Sequence, residues 1–227
     1  VEYLASLERA IDADREAHGK PPLPPEDTDK TETKTIKVST TDSEAGYMVR
    51  EGKPKGFYYL DHRTVDGRHA LITDIHVTPG NVHDSVPYLT RLDRMRHHFG
   101  FHVEAVGLDA GYYTAAICTG LEARNIYGVM GYRRPNKGAD LLPKRAFVYD
   151  ADSDVYHCPN QQTLHYRTTN RLGYREYASD PKHCSACPQR THCTRSQNHT
   201  KVVTRHVWQE AKERIDGHRL EEKGKRL

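Results

Sequence analysis

The 227-residue sequence has no apolar run approaching the ~18 residues that a membrane span requires. Its first residues carry no basic, then apolar, then cleavable pattern of a secretory leader. A cytoplasmic, reducing location is therefore expected. The chain begins with Val, not Met, which suggests a fragment or a processed product. No internal repeat is visible, and no His-Glu-x-x-His pattern occurs among the 15 histidines. Isolated residues such as His62, His69, His76 and His83 therefore read as polar surface or packing residues. Hydrophobic residues make up 36% and charged residues 29%, which is polar for a globular protein but not the composition of a disordered one.

Charge and cysteine are unevenly spread. Residues 1–129 carry 15 Lys/Arg against 20 Asp/Glu, and residues 130–227 carry 19 against 11. A basic back half suits a polyanion such as nucleic acid, though an ordinary solvated surface gives the same count. Cys118 stands alone on a predicted helix and reads as a buried thiol, not a nucleophile. Cys158, Cys184, Cys187 and Cys193 crowd together with the spacing C-x25-C-x2-C-x5-C. Thiolates are soft ligands, and a C-x2-C pair can place two sulfurs on one tetrahedral ion, so a structural Zn²⁺ is one reading. His157, His183 and His192 each adjoin a cysteine and could replace one. Four reduced thiols, with or without a redox disulfide, are the other reading.

Along the chain, residues 2–18 show a helical stripe of Leu4, Leu7, Ala10 and Ile11, with Asp14, Arg15 and other charged residues on the remaining surface. A Pro-rich, then charged linker closes an N-terminal segment, residues 1–34. Residues 35–40 suggest a strand. Residues 57–65 and 68–77 read as a hairpin joined by Asp66-Gly67. Asp84 or Ser85 can cap a helix whose apolar face is Val86, Leu89, Leu92, Met95 and Phe99, with Gly100 as its stop. A strand follows at 103–109, expected to be covered on both faces, then a helix over 114–124 and a strand at 126–131. The order β, β-hairpin, α, β, α, β predicts an α/β fold: a partial ribonuclease-H-like mixed sheet with flanking helices over residues 35–135. A small β-rich, Cys-containing insertion over 136–206 interrupts it, with strand-like pieces at 147–149, 164–166 and 201–204. A helix and charged tail complete the chain over 207–227.

Phosphate-ester chemistry needs carboxylates from several strand ends meeting at one point, where divalent ions activate one oxygen and stabilise another. Asp109 qualifies by position, at the C-terminal end of its strand and before Ala110-Gly111, where a chain can turn. A cap or turn Asp is the plain alternative. Asp42 qualifies if residues 35–40 form an adjacent strand. Asp61, Asp66 and Asp74 lie on the hairpin, Asp66 as a turn residue. Glu210 and Glu213 lie on a helix, and nothing marks either.

The series Thr35-Ile-Lys-Val-Ser-Thr-Thr-Asp42, Val77-Thr-Pro-Gly-Asn-Val-His-Asp84-Ser85, Gly107-Leu-Asp109-Ala-Gly-Tyr112, Tyr156-His-Cys158-Pro159 and Cys184-x2-Cys187-Pro188 resembles bacterial insertion-sequence transposases of the DDE superfamily. The resemblance covers nearly the whole chain. It implies a ribonuclease-H-like catalytic fold with an insertion, and Mg²⁺- (or Mn²⁺-) dependent cutting and joining of double-stranded DNA at transposon ends by a homo-oligomer. It assigns the family's middle catalytic, metal-binding acid to Asp109. Asp42 falls on a position that is not a metal ligand. The first Asp would precede residue 1 and the last Glu would follow residue 227. This polypeptide alone is therefore expected to be inactive, with an exposed or rearranged sheet edge. A non-catalytic, zinc-stabilised nucleic-acid-binding remnant is the alternative function.

Overall fold

The computed structural model describes residues 2–25, 35–50, 52–132 and 141–227. The basic loop that begins at Tyr132 falls mostly outside the described residues, as does most of the linker. In chain order the elements are α1 (Glu2–Ala17), β1 (Gly46–Met48), β2 (Gly56–Val65), β3 (Ile72–Pro79), α2 (Ser85–Phe99), β4 (Ala105–Leu108), α3 (Ala115–Glu122) and β5 (Tyr127–Met130). They continue as β6 (Val148–Asp150), β7 (Val155–His157), β8 (Thr163–Thr169), β9 (Tyr174–Ser179), α4 (Pro181–Ser185), α5 (Arg190–Cys193), β10 (Val202–His206), α6 (Gln209–His218) and α7 (Glu222–Lys225). The chain divides into two compact units, one of residues 27–133 with 210–227, the other of residues 1–26 with 134–209.

In the first unit, β1, β2 and β3 form an antiparallel sheet in that order, and β4 and β5 form a separate parallel pair. The mixture of parallel and antiparallel strands with helices is α/β, as expected, but among the described residues the two sheets are not joined by a strand. β1 pairs with β2 only over residues 56–58, and no described strand pairs with that edge of β2 beyond it. The core gathers Leu92 and Met95 of α2, Ile117, Cys118 and Leu121 of α3, Ile126, Met130, and Ala211 and Ile215 of α6. Thr114 starts α3, its hydroxyl accepting from the Ile117 amide at 3.3 Å. Gly100, at φ 65°, ends α2 in the left-handed conformation that favours glycine.

Several local expectations fail here for identifiable reasons. Residues 35–40 form no strand: their backbone joins no ladder, and the Ser39 hydroxyl takes the Asp42 amide at 3.1 Å before the chain enters the sheet at Gly46. Asp66-Gly67 opens a six-residue connection instead of making a two-residue turn. The Asp66 carboxylate takes the His69 amide at 2.7 Å, its own amide reaches the Leu71 carbonyl at 2.8 Å, and Ala70 carries the positive φ of 57°. Asp84 makes no side-chain cap on α2, because its carboxylate faces Arg50 and His62. Of the predicted apolar face of α2, Val86 and Phe99 stay exposed. β4 is only half covered: Val106 and Leu108 pack against the core while Gly107 is exposed.

In the second unit, five antiparallel strands run in the order β10-β9-β8-β7-β6. Phe147, Tyr156, Leu164, Tyr177 and Val203 form the core. α1 buries Leu7 and Ile11, yet Leu4 is exposed. Asp14 and Arg15, expected on the solvent face, are buried, because both have partners across the unit. Asp14 accepts from Thr169 Oγ1 (2.5 Å) and Arg175 Nε (2.6 Å), and Arg15 donates to Thr168 Oγ1 (2.8 Å) and the Thr169 carbonyl (2.9 Å). Beyond them, the Tyr149 and Tyr177 hydroxyls both donate to Asp154 Oδ1 at 2.6 Å, and His18 Nε2 lies 2.6 Å from Asp154 Oδ2.

Candidate functional site

The residue that the strand pattern singles out, Asp109, follows Leu108 at the C-terminal end of β4 and is exposed. The backbone leaves the strand at φ −70°, ψ 170°, and residues 110–112 make one 3-10 turn. The carboxylate caps that turn, Oδ1 accepting from the Gly111 amide at 2.7 Å. The cap reading of Asp109 is met: one oxygen serves the turn, and the residue is exposed at a strand end. The neighbouring strand comes close. A Cβ at Gly131, just after β5, would lie 3.0 Å from the Ala110 amide nitrogen and 3.4 Å from the Asp109 carbonyl carbon, so only glycine fits there without displacement.

Tyr112 links Asp109 to a second acid. Burial pushes its phenol upward first, and the Asp84 and Asp109 carboxylates, both near enough to act on it, push it further. Its ring packs edge-on against Tyr88 at 5.2 Å. Asp84 lies 3.6 Å from Arg50 Nη2 and 3.8 Å from His62 Nδ1, while the other nitrogen of His62 meets Thr78 Oγ1 at 2.8 Å. The sequence offers Asp84 or Ser85 as the helix cap. The Asn-Val-His-Asp setting of Asp84 after a strand was the signal that could have flagged it.

The other candidate acids are occupied elsewhere. Asp42 accepts the Tyr59 hydroxyl on both oxygens at 2.9 Å and holds the Glu44 amide, a turn role. Asp61 pairs with Arg63 (2.7 Å to Nε), and Asp74 with Arg91, whose Nε donates at 2.8 Å and whose Nη2 donates to the other oxygen. Glu210 is an exposed partner of Arg214 at 3.9 Å. Glu213 acts on Tyr113, whose phenol is raised mainly by burial and then by Asp216, Cys118 and Glu213. Among the described residues, no group of three His, Cys, Asp or Glu side chains is placed to hold a metal ion. The residues around Asp109 therefore do not by themselves make a divalent-ion site. Asp109 brings a single carboxylate to this strand end.

Cys118 is fully buried, and burial above all pushes its thiol up to about 12. It is a packing residue, as expected. Cys158, Cys184, Cys187 and Cys193 are free thiols of intermediate exposure in the β-rich unit. Of the neighbouring histidines, His157 sits 3.9 Å from Asp150.

Residues 157–227 match the family model described as a transposase DDE domain. The match supports a DDE-type transposase. It takes in the cysteine-bearing segment, β8 to β10 and the two C-terminal helices, while Asp109 lies outside it. Comparison with curated proteins and with solved structures gives no match. A transposase DDE domain suggests DNA transposition in general. No described helix is long and apolar enough to cross a membrane.

Proposed function

We propose that this chain belongs to the catalytic machinery of a transposase that cleaves and joins DNA at transposon ends with Mg²⁺ or Mn²⁺, and that Asp109 is one of its metal-binding carboxylates. The observation that carries the reading is the position of Asp109: an exposed carboxylate at the C-terminal end of β4, beside a parallel strand that Gly131 lets approach closely. Ligands in open α/β sheets collect at that end of the strands. An ion there would supply the charge needed to activate an attacking oxygen and stabilise a leaving one. For its own part, the chain fixes the acid. The Gly111 amide holds one carboxylate oxygen, which sets the side-chain direction, and the Tyr112 amide closes the turn on the Asp109 carbonyl at 3.1 Å.

The test is Mg²⁺- and Mn²⁺-dependent nicking of transposon-end DNA by the protein that carries this sequence, with and without Asp109→Ala. Nicking should fall by at least ~10²-fold, the scale on which removing one transition-state charge stabiliser acts. Unchanged nicking by Asp109→Ala would remove Asp109 from the mechanism. DNA binding that weakens steeply with salt, with no nicking by any version of the protein, would favour the non-catalytic nucleic-acid-binding reading instead.

A further inference from the structure

The four cysteines of the β-rich unit take no part in the reading above, yet the fold gathers them. Cys158 follows β7 and opens a tight loop. The Gln161 amide donates to the Cys158 carbonyl (2.8 Å), Gln161 takes a positive φ of 56°, and the Gln162 amide then points at Cys158 Sγ (3.3 Å). Amides aimed at a sulfur stabilise negative charge on it. The same loop reaches the next cysteine, with Asn160 Nδ2 lying 4.0 Å from Cys187 Sγ. Cys187 is one turn from Cys184, and its amide donates to the Cys184 carbonyl at 3.2 Å.

Cys184 Sγ contacts Ser179 Oγ at 3.2 Å. That hydroxyl also accepts the Lys201 amide at 2.9 Å, and Lys201 Nζ reaches the Cys193 carbonyl at 3.0 Å. Cys158 and Cys193 both pack against the Phe147–Tyr156–Leu164–Tyr177 core. Hydrogen-bonded links thus run from the Cys158 loop to Cys187, and from Cys184 through Ser179 and Lys201 to Cys193. All four are unoxidised.

The segment that bears three of these thiols has little else to hold it. α4 and α5 are five and four residues long, and neither buries a residue. Short helices without a buried face are marginal unless something anchors them.

We propose that Cys158, Cys184, Cys187 and Cys193 ligate one structural Zn²⁺, which pins residues 181–193 to the loop after β7. The set is four soft donors from two chain segments, including a C-x2-C pair, which matches a closed tetrahedral site with no open position for catalysis. Among the described residues no three such side chains are yet at ligand geometry, so binding has to draw the thiols inward. Each gives its proton to solvent as its sulfur takes the ion. The site is independent of Asp109 and of any DNA chemistry.

The full chain, expressed with zinc and purified under reducing conditions without chelator, is the material for the test. Elemental analysis should find one zinc per chain. Replacement by Co²⁺ should give the visible bands of a tetrahedral ion and near-ultraviolet thiolate-to-metal charge transfer. Cys158→Ser and Cys187→Ser should each weaken zinc binding by more than ~10-fold, since loss of even an outer-shell partner costs that much. Cys118→Ser should leave binding unchanged. Reduced protein that holds no zinc and gives no thiolate–cobalt spectrum would overturn the proposal. So would zinc retained in the Cys158→Ser, Cys187→Ser double variant, or a disulfide among the four in metal-replete protein. If the serine variants precipitate, the cobalt spectrum of the unaltered chain still decides.

Discussion

Asp154 offers the sharpest test of how the β-rich unit is held together. It receives three short hydrogen bonds from residues far apart in the chain: Tyr149, Tyr177 and His18, each at 2.6 Å. Tyr177 is fully buried, so its hydroxyl has no water to fall back on. Hydrogen bonds to a charged group contribute ~1.5–3 kcal/mol each, and a buried donor left without its acceptor costs ~1–3 kcal/mol. The Asp154 side chain is 31% exposed, which lowers the total, and the three bonds are not additive. Asp154→Ala should therefore cost about 2–4 kcal/mol. Part of that comes from the backbone, since Asp154 sits at φ 49°, where Asp and Asn are tolerated better than Ala. Asp154→Asn keeps that tolerance and one acceptor oxygen, and should cost about half as much.

Trp208, the single tryptophan, lies in the same unit, 5.7 Å from the Tyr3 ring, so its fluorescence during urea unfolding reports on this unit. With a urea slope of ~2 kcal/mol/M, the Ala variant should lower the midpoint by roughly 1–2 M. The pH dependence has a definite sign. Burial alone would raise the Asp154 carboxyl, but hydrogen bonds from Tyr149, Tyr177 and His18 outweigh it and hold the pKa below its ordinary value. A depressed folded-state pKa gives stability that is present above the unfolded value of ~3.9 and is lost as pH falls through the folded one. The Ala variant should therefore show a shallower acid limb. An Ala variant whose Trp208 midpoint stays within ~0.5 kcal/mol of the parent would refute this account, since changes of that size are ordinary for surface positions.

Other expectations follow from single contacts. Gly131→Ala places a Cβ 3.0 Å from the Ala110 amide, a backbone atom that cannot step aside, and should cost ~1–3 kcal/mol. In the nicking assay it should also lower activity without touching the carboxylate itself; a variant with parental stability and activity would show that the β5–Asp109 approach is unimportant. Cys118, with its thiol pushed up to about 12 by burial, should resist iodoacetamide until the protein is unfolded. Mass spectrometry finding Cys118 alkylated in native protein would contradict its burial.

What was legible in the sequence was local. The strand ending at Asp109, the helix after Thr114 and the strand after Ile126 each rest on a run of neighbouring side chains, and each forms where the pattern puts it. The hairpin is there too, but not its turn, because Asp66 spends its carboxylate on the His69 amide and carries the connection on to Leu71. Residues 35–40 show the opposite failure: β-forming side chains do not by themselves make a strand, because pairing depends on tertiary context. Strands β7 and β9 had no clear pattern, since their apolar residues are few and their pairing is set by the sheet.

The sequence alone determined that a carboxylate would end a strand at Asp109, that Cys118 would be buried, and that four thiols would share a β-rich segment, because spacing within a few residues decides such things. Tertiary structure alone decided that Asp14 and Arg15 turn inward, that Asp84 and Asp109 act on one phenol, and that Asp42, Asp61 and Asp74 are taken by Tyr59, Arg63 and Arg91. The reason is physical. A polar group's role depends on which partner reaches it before water does. For the inward-turned Asp14 that partner lies more than 150 residues away in the chain, at Thr169 and Arg175, where no sequence pattern can point to it.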